Sequence, residues 1–431
     1  MKTLVHDVAC TLCGCVCDDL TVEHDGRQIV SLDKACPLAE PVLLAIGGSR
    51  DAVGDEVAFI DDQAVPLEQA LDRAAEILAA AHAPLLYGLS RSSTPGQKAA
   101  TRLADRLGAI IDTTASTCHA PSIMALQEVG ESTCTLGEAR HRADLVIYWG
   151  SNPVVSHPRH LERYGVEPRS LFVPRGRADR HLVVVDTRPT ETTSLADTFI
   201  QVAPDRDFEL LWTLRCLVRG VRPGLFPDCG VAPTEIESLA ARLMNCRSGI
   251  VYFGTGMTQG ATGHRTVEAL LRLVTDLNRH TRFYARRMRV YGDVAGADSV
   301  LCWQTGFPFS VSLSRGYPRY NPGEYSANDV LRRDEADACL LVGSEGVQQL
   351  SAAAQRRLRQ IPVIALDYPG VEPSLPVAVR FTTAIYGVHA AGTAYRMDEV
   401  PIPLRAFLPS HLPTDQHVLA QLDYRVAKRL A

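Results

Sequence analysis

Apolar residues recur along the chain with two different spacings, and the changes between them delimit the predicted elements. The segments VPLEQALDRAAEILAAA (65–81) and QKAATRLADRLGA (97–109) repeat apolar residues three or four positions apart, which predicts amphipathic helices. The segments APLLYGLS (83–90) and IIDTTAS (110–116) are short, apolar and flanked by those helices, which predicts buried strands. Such alternation predicts an α/β fold in which helices cover a parallel sheet.

The N-terminal segment has a different pattern. LTVEHDGRQIVSL alternates apolar and polar residues around an Asp-Gly pair, which predicts a β-hairpin. We therefore predict a small N-terminal lobe over residues 1–50. Two α/β domains follow, one discontinuous (51–140 with 330–431) and the other inserted into it (141–329).

Two stretches of the chain resemble each other. ADLVIYWGSNP with HLVVVDTRPT, and ADACLLVGSEG with IPVIALDYPG, each predict a strand ending at Gly, a helix and a strand ending at Asp. Nucleotide-binding proteins of this architecture hold their ligand at the carboxyl ends of the strands. In the first copy the residues that could hold a phosphate and a ribose or guanine edge are Gly150, Ser151, Asn152, Asp186, Thr187 and Arg188. The second copy lacks the arginine and the threonines, and an ordinary α/β fold with polar loop ends is the alternative.

Composition narrows the classes of protein. Of 431 residues 46% are hydrophobic and 22% charged, which is usual for a soluble globular protein. The net charge of −5 provides no overall basic field for nucleic acid. The N-terminal segment shows no signal-peptide pattern, and no apolar run of about 18 residues predicts a membrane span. We therefore expect a cytoplasmic protein, whose thiols stay reduced and serve metals more often than disulfides.

Cysteines are concentrated at the N-terminus. Five of the twelve lie in the first 36 residues, and Cys10, Cys13 and Cys17 form a C-x2-C-x3-C run that Cys36 follows. This spacing suits a [4Fe–4S] cluster, which takes four thiolates from one tight loop and one distant segment. Structural zinc usually takes two C-x2-C pairs, and only one is present. Zinc and an empty site are the alternatives, and Cys15 is interpreted as a bystander.

Other candidate residues lie in the middle of the chain. Cys118 and His119 lie between a predicted strand and a predicted helix, where a cysteine can act as metal ligand or nucleophile and a histidine as proton carrier. Gly254 and Gly256 lie in a glycine-rich turn after another predicted strand, which is a weak indication of a ligand loop. Arg289 belongs to an arginine-rich segment that would suit an anion or an ion-paired surface.

The whole chain resembles the B subunit of formylmethanofuran dehydrogenase, a family within the molybdopterin oxidoreductases that use molybdenum or tungsten. The segments that carry this resemblance are CTLCGCVCDDL, TASTCHAPSIMALQEVG, TCTLGEARHRADLVIYWGSNP, HPRH, RGYPRYNPGE with NDVL, and GTAYRMDEVPIP. The resemblance implies two Rossmann-like α/β domains and a small N-terminal iron–sulfur lobe. It also implies that a separate subunit supplies the C-terminal β-barrel domain of this class, because only about 27 residues follow VPIPLR.

The resemblance further implies the cofactors and the roles of the candidate residues. Cys10, Cys13, Cys17 and Cys36 would hold the [4Fe–4S] cluster. Molybdenum or tungsten would be bound as bis(molybdopterin guanine dinucleotide), with Cys118 as a metal ligand, His119 as acid or base, and Arg289 assisting. Carbon dioxide would be reduced to formate at this metal. A separate amidohydrolase-like subunit would then condense the formate with methanofuran.

Departures from the family pattern favour a second hypothesis. The segment around Arg289 is MRVYGDVAG, where the family is closer to MRGHYNVxG, and Ala120 replaces the glycine expected after Cys-His. A homologous formyltransferase/hydrolase complex in methylotrophic bacteria contains a subunit of this type without a redox step. The alternative function is therefore a scaffold subunit, with formyltransferase-like and amidohydrolase-like subunits as partners, in a complex that releases formate from a methanofuran-type carrier.

Overall fold

The computed structural model describes residues 2–47, 57–260 and 262–431 of the chain. The chain forms two compact units. The flanking unit comprises Met1–Thr117 and Tyr291–Ala431, and the inserted unit comprises Cys118–Val290. The predicted lobe boundary at 50/51 lies outside the described residues.

The strands, in chain order, are β1 (Thr3–Val8), β2 (Leu20–His24), β3 (Ile29–Asp33), β4 (Ala58–Ile60), β5 (Gln63–Ala64), β6 (Pro84–Gly88), β7 (Ile110–Thr113), β8 (Leu145–Trp149), β9 (His181–Asp186), β10 (Thr198–Gln201), β11 (Ser248–Phe253), β12 (Arg282–Arg287), β13 (Val311–Ser312), β14 (Arg319–Tyr320), β15 (Ala338–Val342), β16 (Val363–Asp367), β17 (Val379–Thr382), β18 (Gly392–Tyr395) and β19 (Pro401–Leu404). The α-helices are α1 (Glu40–Leu44), α2 (Leu67–Ala80), α3 (Thr94–Leu107), α4 (Ala120–Val129), α5 (Leu136–Arg142), α6 (Pro153–Ser156), α7 (His160–Arg163), α8 (Asp207–Val218), α9 (Pro233–Asn245), α10 (Gly263–Leu277), α11 (Val294–Thr305), α12 (Ala327–Arg332), α13 (Ala352–Leu358) and α14 (Asp415–Leu430).

A five-stranded parallel sheet forms the centre of the inserted unit. Its strand order is β10-β9-β8-β11-β12. Strands β8 and β11 are buried along their whole length, as their unbroken apolar sequences predict for parallel strands covered on both faces. Helix α10 packs against α4 and α8. The chain enters the sheet at β8, extends to β9 and β10 on one side and then crosses to β11 and β12 on the other, so the strand order reverses between β8 and β11.

A mixed nine-stranded sheet forms the core of the flanking unit. Its order is β14-β13-β7-β6-β15-β16-β17-β4-β5, and the five central strands are parallel. The edge strands on both sides pair antiparallel. Helix α14 packs against α2 and α3. The predicted alternation of helices and strands between 65 and 116 is confirmed at α2, β6, α3 and β7.

The two compact units meet along the chain at 117/118 and 290/291, whereas the sequence pattern predicts boundaries at 140/141 and 329/330. The difference has a packing cause at each end. Helix α4 lies against α10, which assigns 120–129 to the inserted unit. Helices α11 and α12 lie against α3 and β7, which assigns 294–332 to the flanking unit.

The internal resemblance corresponds to two structurally equivalent strand pairs. Strands β8 and β9 are parallel neighbours in one unit, and β15 and β16 are parallel neighbours in the other. Gly150 follows β8 and Gly343 follows β15, with φ of 54° and 85°. A residue with a side chain rarely adopts this left-handed backbone conformation, which explains why glycine stands at both strand ends.

The predicted N-terminal hairpin is confirmed. Strands β2 and β3 pair antiparallel, and β1 adds to them in a three-stranded sheet. None of the helices in the described part of the chain is long and apolar enough to cross a bilayer.

Candidate functional site

The cysteine loop brings four thiols together in the flanking unit. Cys10, Cys13 and Cys17 are buried and Cys36 is half-buried. The loop is closed by a hydrogen bond from Cys10 N to Cys17 O of 2.8 Å. Burial raises the pKa of the Cys10 thiol, and the neighbouring Cys13, Cys17 and Cys36 raise it further, so these three cysteines lie near Cys10. Cys15 is also buried, and its bond to Cys13 lowers the pKa of that thiol.

The hairpin β18–β19 packs against the cysteine loop. Val16 is fully buried against apolar side chains that include Ile402 and Leu404, although its φ of 38° is unusual for a β-branched residue. Met397 N donates to Gly14 O at 2.8 Å. The segment GTAYRMDEVPIP therefore forms the wall on which the cysteine loop packs.

Among the described residues, no group of three His, Cys, Asp or Glu side chains is arranged to hold a metal ion. In chemistry, four cysteines taken from one tight loop and one distant segment are the donor set that a [4Fe–4S] cluster uses.

In the inserted unit, the sequence-predicted glycines mark the place where the strand order reverses. Gly150 follows β8, and Gly254 and Gly256 follow β11, which is the strand next to β8 in the sheet. A Cβ atom at Gly254 would lie 2.4 Å from Gly150 O, and one at Gly256 would lie 2.9 Å from Gly150 Cα. These three glycines are therefore required for the two loops to pack together at the crevice where open parallel sheets bind ligands.

Asn152 connects the loop after β8 to the loop after β9. Its Oδ1 accepts from Thr192 Oγ1 at 2.7 Å, and its Nδ2 donates to Glu191 Oε2 at 2.7 Å. The amide thus makes protein contacts on both sides, a role that the sequence did not indicate. Ser151 is buried beside it.

The loop after β9 has polar groups with capacity for a ligand. Asp186 Oδ1 accepts from Thr187 N at 2.8 Å, and Arg188 is exposed. Thr190 Oγ1 is buried without a hydrogen-bond partner among the described residues. A buried hydroxyl that lacks a partner is costly, so this atom is suited to a bound group that donates or accepts a hydrogen bond.

Cys118, His119 and Arg289 all belong to the inserted unit. Cys118 is half-buried, and its carbonyl accepts from Thr258 Oγ1 at 2.8 Å. His119 is buried, with Nε2 3.1 Å from Met288 O. Burial and, to a smaller extent, the positive charge of Arg289 lower the pKa of His119 to about 3, so the ring is neutral at neutral pH. Strand β12 ends at Arg287, so Arg289 lies just beyond it, at the same edge of the sheet as the glycine loops.

The arginines that precede Arg289 have structural partners. Arg287 forms a buried ion pair with Glu131 at 3.1 Å. Arg286 is fully buried, and its Nη2 donates to Cys134 O at 2.7 Å. Arg282 at the start of the strand lies 3.7 Å from Glu138. The arginine-rich segment is therefore mostly ion-paired or bonded within the protein, which was one of the two interpretations open from the sequence.

His157 is a buried residue at this site that the sequence interpretation did not assign a role. Its Nε2 lies 2.7 Å from Arg289 O. Burial lowers its pKa to about 4. In the sequence, His157 is marked only by its place in HPRH, one of the segments that carry the family resemblance.

The equivalent exits in the flanking unit carry different groups. Ser344 N donates to Asp367 Oδ1 at 2.7 Å, while Asp367 Oδ2 is buried without a partner among the described residues. Burial raises the pKa of Asp367 to about 6. Glu345 pairs with Arg91 at 3.3 Å. A cavity of 510 Å³ next to these residues extends to Thr11 of the cysteine loop and is lined mainly by apolar side chains.

Comparisons with known proteins identify the family. No protein-family profile matches the chain. It is 38% identical over its full length, and over the full length of the relative, to the B subunit of tungsten-containing formylmethanofuran dehydrogenase 2 of Methanocaldococcus jannaschii. It is 26% identical to the B subunit of the formyltransferase/hydrolase complex Fhc of Methylorubrum extorquens, over 67% of this chain and 74% of that protein.

The fold is shared with two solved structures. One is a chain of the formyltransferase/hydrolase complex (FhcABCD) of Methylorubrum extorquens in complex with methylofuran, with a TM-score of 0.71, 24% identity, and coverage of 86% of this chain and 99% of that chain. The other is acetylene hydratase from Pelobacter acetylenicus, with a TM-score of 0.67, 12% identity, and coverage of 98% and 69%. Full-length identity and fold together show that the chain belongs to the family formed by the B subunits of formylmethanofuran dehydrogenases.

Proposed function

We propose that this chain is the redox subunit of a formylmethanofuran dehydrogenase-type complex, in which carbon dioxide and formate are interconverted at tungsten or molybdenum. The observation that carries the proposal is the grouping of Cys118, His119 and Arg289 with the glycine loops in one parallel-sheet unit. The relative from Methanocaldococcus jannaschii, which this chain matches at full length, is named as tungsten-containing and supports the same function.

The exits of β8 and β9 are the proposed site of the first pterin guanine dinucleotide. Thr190 Oγ1 offers an unused buried hydrogen-bonding atom, and Arg188 offers a positive charge for phosphate. Asp186, at the end of the second strand, is suited to ribose hydroxyls or a guanine edge. Gly150 lets the backbone approach the ligand closely.

A second dinucleotide is proposed for the flanking unit. The support is the cavity of 510 Å³ at the exits of β15 and β16, together with the unpartnered Oδ2 of Asp367, which suits a donor group of a sugar or base. The same unit would hold the [4Fe–4S] cluster through Cys10, Cys13, Cys17 and Cys36.

The metal, when bound, supplies the two-electron chemistry, and the protein supplies binding and electrostatics. Cys118 would provide a thiolate ligand. The guanidinium of Arg289 would hold the carboxylate of formate in a buried setting, where such a charged hydrogen bond is strong. His119, adjacent to Cys118 in the chain, would serve as the acid or base at this site.

The proposed partners follow the same family relation. A partner of the amidohydrolase type would exchange formate with a methanofuran-type carrier. A separate subunit would supply the β-barrel domain that covers the pterin groups. The relative in Methylorubrum extorquens is itself named as the B subunit of a complex.

The test is the cofactor content of the complex purified without oxygen. Iron, tungsten, molybdenum and zinc are measured by elemental analysis, and guanine is measured after acid release. About four irons, one tungsten or molybdenum and two guanines per chain are expected for this function. The complex carrying Cys118→Ala should keep its iron, because the proposed [4Fe–4S] cluster and the proposed tungsten or molybdenum site use different cysteines. Zinc alone, or no metal at all, would contradict the proposal.

A second candidate function is a scaffold subunit of a formyltransferase/hydrolase complex without redox chemistry. It is favoured by one observation: the exits of β15 and β16 carry Glu345 and no counterpart of Arg188, the positive charge that the inserted unit offers to a phosphate. A complex without iron and guanine that still transfers formyl groups would establish this alternative.

A further inference from the structure

We propose that His157 is a positioning residue for Arg289: its Nε2–H holds the Arg289 carbonyl and thereby fixes the strand exit that carries the guanidinium. His157 is fully buried, and its Nε2 lies 2.7 Å from Arg289 O. A carbonyl oxygen only accepts, so the hydrogen must be on Nε2. The expected effect on kcat rests on the proposed function, whereas the hydrogen bond between His157 and Arg289 does not depend on it.

Arg289 lies two residues beyond the last pair of the ladder between β11 and β12. The ladder between β11 and β12 ends at the pair Phe253 and Arg287, and one further bond follows, from Met288 N to Phe253 O at 2.8 Å. Beyond that point two buried histidines bind successive carbonyls. His119 binds Met288 O at 3.1 Å, and His157 binds Arg289 O.

The protonation state of His157 suits this role. Burial lowers its pKa to about 4, so the ring is neutral at neutral pH with one donor and one acceptor nitrogen. The acceptor Nδ1 lies 2.8 Å from Ser156 Oγ. The Arg289 carbonyl, which only accepts, therefore fixes the tautomer with the hydrogen on Nε2 and leaves Nδ1 to accept.

Ser156 also lies close to the proposed dinucleotide loop. Its Oγ is 3.0 Å from Asn152 O, and the Asn152 side chain binds Thr192. Because Ser156 has one hydroxyl hydrogen, and both Asn152 O and the unprotonated Nδ1 of His157 only accept, the hydroxyl donates to one of them at a time. The contacts therefore place His157 beside this loop without forming a continuous series of hydrogen bonds to Arg289.

Two substitutions separate the hydrogen bond from the volume of the ring. In His157→Gln the amide nitrogen reaches the position of Nε2 and keeps the donor. In His157→Leu the donor is lost and the site stays filled. The control is His280→Leu, because His280 Nε2 also binds a backbone carbonyl, Val218 O at 2.9 Å, in the same unit.

The complex carrying each variant is assayed for dye-linked formate oxidation, tungsten and guanine content, and hydrogen–deuterium exchange of residues 284–294. We expect His157→Leu to lower kcat about 10²-fold, because misplacing a positioned group by about 1 Å has that effect. Its tungsten and guanine content should stay unchanged, and exchange near Arg289 should become faster. His157→Gln should restore kcat to within about fivefold, and His280→Leu should match the wild type.

Equal kinetics and exchange for His157→Leu and the wild type would overturn the inference, as would a His157→Gln variant no better than His157→Leu. If the leucine variant fails to assemble, His157→Asn replaces it, since its shorter amide mimics Nδ1 and cannot reach Arg289 O. Should the wild type contain no tungsten or guanine, the proposed function fails, and the exchange comparison of the glutamine and asparagine variants still decides the role of His157.

Discussion

The inserted and flanking units contain the same strand pair with different chemistry at its exits. In the inserted unit, the loops after β8 and β9 carry an amide, hydroxyls and the exposed Arg188, together with the carboxylates of Asp186 and Glu191. In the flanking unit, the loops after β15 and β16 carry the carboxylates Glu345 and Asp367 but no arginine. Both copies keep the left-handed glycine and the parallel strands.

This contrast teaches that topology and chemistry are separable in this chain. Parallel strands bring their carboxyl ends to one edge, whatever residues follow. Phosphate requires cationic or N–H donors, whereas Asp367 Oδ2, which has no partner among the described residues, requires a donor from its ligand. The two units are therefore expected to respond differently to equivalent substitutions.

The largest expected difference concerns one cysteine in each unit. Cys118→Ala in the inserted unit should reduce dye-linked formate oxidation by roughly 10³-fold or more, because it removes the proposed metal ligand. Cys339→Ala in β15 deletes a buried thiol of the flanking unit and should leave turnover unchanged. Formate oxidation by the complex measures both. Retained oxidation in Cys118→Ala would remove that thiol from the mechanism.

The next difference concerns a glycine at the exits. In Gly254→Ala the new Cβ meets Gly150 O at 2.4 Å, a backbone atom that must move. We expect a loss of about 1–3 kcal/mol in the free energy of unfolding and a lower guanine content. In Gly346→Ala the nearest atom is a methyl group of Thr114 at 3.1 Å, and the loss should stay below about 1 kcal/mol. Denaturant unfolding compares the two, and equal losses would contradict the packing argument.

The buried titratable groups of the two units should give opposite pH dependence. The folded pKa of His157 is lowered to about 4, below its ordinary 6.5, so its contribution to stability is lost as pH falls from 6.5 towards 4. The folded pKa of Asp367 is raised to about 6, above its ordinary 3.8, so its contribution is lost as pH rises from 4 towards 6. Each effect is on the order of 2–3 kcal/mol.

Unfolding measured between pH 4 and pH 7 checks both signs. His157→Gln should flatten the loss of stability at low pH, and Asp367→Asn should flatten the loss at higher pH. The same pH dependence in wild type and both variants would show that these groups do not titrate as their burial implies.

The smallest expected effect concerns polar contacts at the exits. Thr192→Val removes the hydroxyl that binds Asn152 and should cost about 0.5–1.5 kcal/mol in the free energy of unfolding. Glu345→Gln weakens a partly exposed ion pair with Arg91 and should cost less than about 1 kcal/mol. Thermal melting of both variants compares their losses of stability. A larger loss for Glu345→Gln than for Thr192→Val would contradict the expected order.

Local sequence pattern was sufficient to predict several helices and strands and many of the candidate site residues. The periodicities at 65–81 and 97–109 correspond to α2 and α3, and the Asp-Gly hairpin corresponds to β2 and β3. The spacing of the cysteines indicated a shared site, and in the structure Cys13, Cys17 and Cys36 lie near enough to Cys10 to raise its pKa. The cofactors of these residues and their catalytic roles stay predictions.

Contacts between distant residues were not visible in the sequence. Asn152 looked like a ligand-binding residue, but its amide binds Glu191 and Thr192 of the next loop. Gly254 and Gly256 looked like a ligand loop, and they are needed for packing against Gly150. His157 had no assigned role until its distance to Arg289 O was known.

The sequence by itself determined the α/β fold class, the duplicated strand pair and the family, because these depend on local periodicity and on residue identities along the chain. Only the tertiary structure decided the boundaries of the two compact units and the partners of the buried polar groups. Those features depend on packing and hydrogen bonding between segments more than a hundred residues apart, such as His157 and Arg289, and no local pattern records them.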